Sequence, residues 1–182
     1  MVASSAAAIE WFVANAPARV LDIAPARKPA RVGIRAVHFI DIENLCSTSD
    51  LRLWQARIAL REYHAAVGIA DGDHVIIGAS HHNALAAGLA WPGARLLPPR
   101  SGRDGADAAL REAIRTERIA ERFAVAYLGS GDGGFAADLA FLAAAGVTTH
   151  VVGRRHHISG RLRLAAHQTT TLASAAIALE TA

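Results

Sequence analysis

Three aspartates stand at corresponding places in the chain. Asp41 lies in AVHFIDIENL (36–45), Asp107 in SGRDGADAAL (101–110) and Asp132 in AVAYLGSGDGGF (124–135). Each comes shortly after an apolar run. Carboxylates gathered at one place repel each other, and a divalent cation offsets that repulsion. Mg²⁺ takes hard oxygen ligands and keeps several waters. Held by carboxylates, such an ion activates water and steadies displacement at phosphorus. Asn44 falls three residues after Asp41, on the same turn. Asp104 and Asp107 are spaced i, i+3, so both can face one side of a helix start. The plainer role for any one of these aspartates is a helix N-cap, worth ~1 kcal/mol. Repetition at three strand ends, with Asn44 beside the first, favours a site.

The stretch LGSGDGGF (128–135) allows a second reading. Gly129, Gly131 and Gly134 fit G-x-G-x-x-G, the turn that cradles a pyrophosphate in dinucleotide-binding folds. Asp132 would set a negative charge against that phosphate. The fingerprint also normally occupies the first strand–helix unit, with an acidic residue ~20 positions on. Here the next strand ends in Gly153-Arg154-Arg155. Arg154 would suit a 2′-phosphate, so an NADP-binding oxidoreductase stays as an alternative. The carboxylate reading is the stronger one.

The elements that must position these residues alternate. Strands are expected at 36–41, 74–80, 94–99, 124–130 and 147–153. Helices are expected at 51–68, 81–91, 105–123 and 133–146, the last closed by Gly146. The terminal segment after residue 157 is expected to pack back as one or two helices. Alternation with near-continuous apolar strands predicts an α/β fold, with a mostly parallel sheet of about five strands covered on both faces. In such sheets ligands bind at the carboxyl ends of the strands, where strand order switches. The predicted core takes in Trp11, Trp54 and Trp91. Residues 1–35 read as a short helix and a basic Pro/Ala-rich linker, and 36–182 as the domain.

The chain has 182 residues, 52% of them hydrophobic, enough for one domain with a sizeable core. Net charge is +3, and Lys28 is the one lysine among the basic residues. Arginine suits bidentate contact with phosphate. An Arg- and Ala-rich codon usage explains the same bias, so the basic balance is weak support for a nucleic-acid partner. One cysteine, Cys46, excludes a disulfide framework and a Cys-rich zinc site, and a reducing cytoplasm is expected. A signal peptide is not expected, because the N-terminal apolar run lacks a basic lead and contains Glu10. No segment approaches the ~18 apolar residues of a membrane span. The pairs His81-His82 and His156-His157 read as structural or surface residues, since adjacent side chains do not face one way.

Taken together, HFIDIENL (38–45), GADAAL (105–110) and LGSGDGGFAADLAFLAAAGVTTHVVG (128–153) resemble the NYN domain family of the PIN-like nuclease superfamily. That family commonly shows F-I-D-x-x-N, K-G-x-D-x-x-L, and S-G-D-S-D-F followed by a helix and G-x-x-V-x-V-x-G. The resemblance covers roughly residues 36–170. It implies a Rossmann-like, PIN-type α/β/α sandwich and a Mg²⁺- or Mn²⁺-dependent endoribonuclease acting on single-stranded or structured RNA. By matched motif it implies an acidic cluster of Asp41, Asn44, Asp107 and Asp132; outside the matched positions, Asp104 is taken as a further metal ligand and Glu43 as a ligand or outer group. Ser130 would orient the loop and, with Arg103, Arg154 and Arg155, meet the RNA. A homodimer is also implied. Two departures stand out. Asp104 lies near the usual Lys, and Gly134 replaces the second Asp of S-G-D-S-D-F. Asp104 and Asp138 are the residues placed to replace that ligand. Without one, a non-catalytic RNA-binding or assembly module on the same fold is the alternative.

Overall fold

The computed structural model describes residues 35–102 and 104–172. Among them six strands form one all-parallel sheet. These are β1 (Ala36–Asp41), β2 (His74–Gly78), β3 (Arg95–Leu96), β4 (Val125–Gly129), β5 (Thr148–Arg154) and β6 (Gln168–Leu172). Their spatial order is β3-β2-β1-β4-β5-β6. The chain therefore lays strands outward from β1 to one side, crosses back, and lays the rest outward to the other. Phe39 is in register with Ile76 on one flank and Leu128 on the other.

The side-chain period of two divides the core. All six residues of β1 are buried. Val37 and Phe39 join one hydrophobic cluster, Ala36 and Ile40 the other. The first cluster takes in α4 (Gly105–Thr116), α5 (Ile119–Arg122), α6 (Ala136–Ala144) and α7 (Gly160–Ala165). The second takes in α1 (Ile42–Cys46), α2 (Leu53–Val67) and α3 (Ala84–Ala90). Helices thus cover both faces, as expected of a Rossmann-like α/β/α sandwich. Leu110 and Ile114 are fully buried and anchor α4, whose first turn carries Asp107. Truncating Leu110 to alanine would cost about 2–5 kcal/mol.

The five expected strands are present in order. The terminal segment departs from expectation. Among the described residues Gly160–Ala165 is the one helix there, and Gln168–Leu172 adds a sixth strand beside β5. Three consecutive threonines, stiff at χ1, fit a pleated surface better than a helix. The helix expected over 105–123 breaks where Arg118 takes φ 53°, a left-handed conformation. The helix expected over 81–91 begins only at Ala84, because residues 81–83 form a turn. Trp54 is not core: it is 40% exposed. In α2 the buried stripe runs instead through Ala56, Leu60, Tyr63 and Val67. Trp11 and the expected linker lie outside the described residues. No helix among the described residues is long and apolar enough to cross a membrane.

Candidate carboxylate site

The strand order places the switch point between β1 and β4. Loops leaving these neighbours diverge and open a crevice at their carboxyl ends. Asp41 is the last residue of β1, and Asp132 lies three residues beyond β4. Asp107 enters from the first turn of α4.

Asp41 is 3% exposed. Its Oδ1 accepts the Asn44 N–H at 3.2 Å, and Ser130 Oγ donates to its Oδ2 at 3.1 Å. Ser130 is fully buried, and the same Oγ accepts the Asp132 N–H at 3.1 Å. One hydroxyl thus fixes the two aspartates relative to each other. Asp132 Oδ1 accepts the Gly134 N–H at 2.9 Å and caps a short 3₁₀ turn, Gly133–Phe135. Asn44 Oδ1 accepts the Gly131 N–H at 2.7 Å.

The electrostatics show how closely the three carboxyls meet. Burial pushes Asp41 up to about 6, with a further push from Glu43; hydrogen bonds from Asn44, Ser130 and Asp107 act the other way. Burial, then the charges of Asp41 and Asp132, push Asp107 up to about 8. Asp107 therefore lies near both of those carboxylates. Near neutral pH the cluster therefore holds a shared proton on Asp107, because like charges this close do not all ionise. Among the described residues no three His, Cys, Asp or Glu side chains make a ready-made metal cage. Mg²⁺ does not need one, since it is usually held by one or two carboxylates and keeps its waters. The donors are hard oxygens without thiolate or imidazole, which suits Mg²⁺ or Mn²⁺.

Other expected residues take different places. Asp104 is exposed and makes no capping bond, and it is not among the charges that shift Asp107. Asp138 does not compensate for Gly134. It is 1% exposed and bound by Arg111 and Arg115. Arg154, expected to meet RNA, is buried: its Nε donates to the Leu45 carbonyl and its Nη1 to Glu62. Its position at the end of an interior strand turns it inward. Ser130, also expected to meet RNA, is sealed beneath the two aspartates. Arg155 is exposed. Arg103 lies outside the described residues.

Glu43 is a clamp. Its Oε1 accepts the Ser80 N–H at 2.8 Å, the Ser80 hydroxyl at 2.5 Å and the Asn83 amide at 2.8 Å. Burial raises its pKa, but these bonds outweigh burial and lower it. Asn83 is 1% exposed; it also donates to the Ser49 carbonyl and accepts the Leu51 N–H. The loop after β2 is thereby locked to the loop after β1. Sequence reasoning weighed the polar residues after three other strands and passed over Ser80 and Asn83, although they follow β2 in the same manner. His81 and His82 diverge, as expected: His81 meets Ser101, and His82 meets Ser49 and Ser80. Burial pushes the Cys46 thiol up to about 12, which makes it inert.

The glycines of LGSGDGGF have local reasons. A Cβ on Gly131 would sit 2.3 Å from the His157 carbonyl oxygen, so the close approach of the β5–α7 loop requires glycine there. The Gly131 and Gly134 N–H groups, donors a pyrophosphate would use, are taken by Asn44 and Asp132. Arg154 is likewise occupied, so the dinucleotide reading gains no support from this loop.

No protein-family model matches the sequence. No curated protein matches it. Among solved structures, the crystal structure of a protein of unknown function from Vibrio parahaemolyticus is similar, with 18% identity and a TM-score of 0.51, covering 78% of this chain and 94% of that one. At that identity the likeness shows the fold alone, a Rossmann-like α/β sandwich.

Proposed function

We propose that the chain is a metal-dependent ribonuclease of the NYN/PIN-like type, hydrolysing RNA phosphodiester bonds in a reducing cytoplasm. One observation carries this reading. Asp41 and Asp132 stand at the switch point joined through the Ser130 hydroxyl, and Asp107 lies close enough to both for their charge to add to burial in raising it. A purely capping role would not need a third carboxyl pressed against the other two.

Asp41, Asp107 and Asp132 would hold Mg²⁺ or Mn²⁺. The bound ion would supply a water of lowered pKa and offset charge at phosphorus. Ser130 keeps Asp41 and Asp132 at a fixed separation. Asn44 positions the loop that carries Asp132 through its bond to the Gly131 N–H. Glu43 holds the opposite wall of the crevice. Arg155 stands exposed beyond β5, where it can meet the RNA backbone. The motif resemblance also implies a homodimer.

A second reading has its own support. Gly134 supplies no carboxylate, and Asp138 is committed to two arginines. Three ligands then remain, and a module that binds RNA without cutting it is the alternative. Cleavage of a fluorescent single-stranded RNA with Mn²⁺ or Mg²⁺, with EDTA, and with Asp132→Asn separates the two. Metal-dependent cutting lost in the variant supports the nuclease. Binding without cutting, unaffected by the variant, supports the module.

A further inference from the structure

Asp107, Arg111 and Arg115 recur every fourth residue on α4 and share one helix face. At the rise of an α-helix, Arg111 lies about 6 Å and Arg115 about 12 Å along the axis from Asp107. Both arginines reach across to α6 and bind one carboxylate. Arg111 Nε donates to Asp138 Oδ2 at 2.9 Å, and Arg115 Nε to Oδ1 at 2.7 Å. Asp138 is 1% exposed, while the arginine side chains are 48% and 42% exposed. One carboxylate balances one of the two charges, so the surface keeps a net positive charge. The bonds use Nε in each case, so the remaining guanidinium nitrogens are not needed to hold Asp138. Glu112, next to Arg111 in sequence, is paired with Arg100.

Beside the arginines stands Phe141, 43% exposed, with the Arg115 guanidinium 4.8 Å from its ring centre. Ala137 lies one turn before Phe141 on the same face of α6, Gly134 precedes that helix, and both are small and exposed. A low, positively charged floor thus runs from the site to an aromatic face.

We infer that this floor is the path of single-stranded RNA out of the carboxylate site, with Arg111 and Arg115 on successive phosphates and Phe141 stacked on a base. The inference rests on the ribonuclease reading. Guanidiniums suit phosphate oxygens, and aromatic rings stack on bases that are not already paired. The buried carboxylate holds both arginines in place before RNA arrives, which lowers the entropy lost on binding. A duplex hides its base faces, so Phe141 selects for a single strand.

The test is fluorescence anisotropy of a labelled single-stranded RNA in EDTA, across a salt series, with Arg111→Gln, Arg115→Gln and Phe141→Ala studied singly. Each arginine variant leaves the other guanidinium on Asp138, and Phe141 is exposed, so melting curves should confirm folding. Losing one phosphate contact should lower the slope of log affinity against log salt by about 0.7. Phe141→Ala should weaken single-strand binding about tenfold at unchanged slope and leave duplex binding unchanged. Wild-type binding or cleavage with all three variants indistinguishable from it would overturn the path and leave the ribonuclease standing. Equal loss on single strand and duplex would overturn the stacking role. A wild type that neither binds nor cuts RNA would mean that the ribonuclease reading itself had failed.

Discussion

Asn44 and Gly131 meet across the switch point, the side-chain oxygen of one accepting the backbone N–H of the other at 2.7 Å. This bond ties α1, the helix that follows β1, to the loop after β4, and with it Asp41 to Asp132. Asn44→Ala leaves the buried Gly131 N–H without its acceptor, at a cost of about 1–3 kcal/mol in stability. Removing such an outer partner should also weaken Mn²⁺ binding about 10- to 100-fold. Calorimetric titration and thermal melts read the two effects. Asn44→Asp keeps the acceptor but adds a charge beside the cluster, so with Mn²⁺ present to offset that charge it should be more stable than Asn44→Ala; equal losses under that condition would refute the positioning role.

The shared proton makes the cluster sensitive to pH. Folding raises Asp41 from 3.8 to about 6 and Asp107 from 3.8 to about 8. The folded chain then binds protons that the unfolded chain releases. Stability from this pair is full below the unfolded value and is lost as pH rises through 6 and 8. Asp73 behaves oppositely. Burial pushes it up, but hydrogen bonds from His38, Ala70 and Ala36 outweigh that and hold it at about 2. Its contribution is therefore lost only in acid. In EDTA the melting temperature should decline between pH 5 and 8 on account of the pair, and Asp107→Asn should flatten the decline. Metal binding displaces the proton, so stabilisation by Mn²⁺ should be larger at pH 8 than at pH 6. A flat wild-type profile would contradict the shared proton.

Asp138 makes its two partners unequal to it. Arg111→Ala with Arg115→Ala leaves a carboxylate buried at 1% exposure with no compensating charge. Stranding a buried ion costs about 3–5 kcal/mol. Asp138→Ala strands two half-exposed guanidiniums, which rehydrate, so it should cost less. Adding Asp138→Ala to the double arginine variant should restore part of the loss. Urea titration of the four chains checks the order.

Much of this arrangement was legible in the sequence. Near-continuous apolar runs and alternating helices marked five strands, and the same polar punctuation at their ends marked Asp41, Asp107 and Asp132. What stayed hidden depended on direction and partners. Arg154 and Asp138 carry the same charges buried or exposed, and nothing in their neighbours in the chain says that Glu62 or Arg115 waits across the fold. Ser130 reads as a loop serine until the structure shows its hydroxyl joining two aspartates. The sixth strand was masked by a leucine- and alanine-rich flank that reads as helix, while Thr169, Thr170 and Thr171 decided the matter locally.

Gly134 is where the motif resemblance loses a carboxylate, and the structure has room for one. A Cβ placed there would meet the Asp132 carboxylate at 3.5 Å, an ordinary contact, and the position is exposed. Gly134→Asp therefore folds without a clash and sets a fourth negative charge beside the cluster. Without metal, that charge repels Asp132 and should lower the melting temperature. With Mn²⁺, it supplies a further oxygen ligand and should tighten binding about tenfold or more, each tenfold being worth about 1.4 kcal/mol. Cleavage at limiting metal should rise with it. Gly134→Asn adds the same bulk and a neutral oxygen, so it should show neither the metal-free destabilisation nor the full gain. If Gly134→Asp and Gly134→Asn bind Mn²⁺ alike, the ion does not sit where a side chain at 134 reaches it.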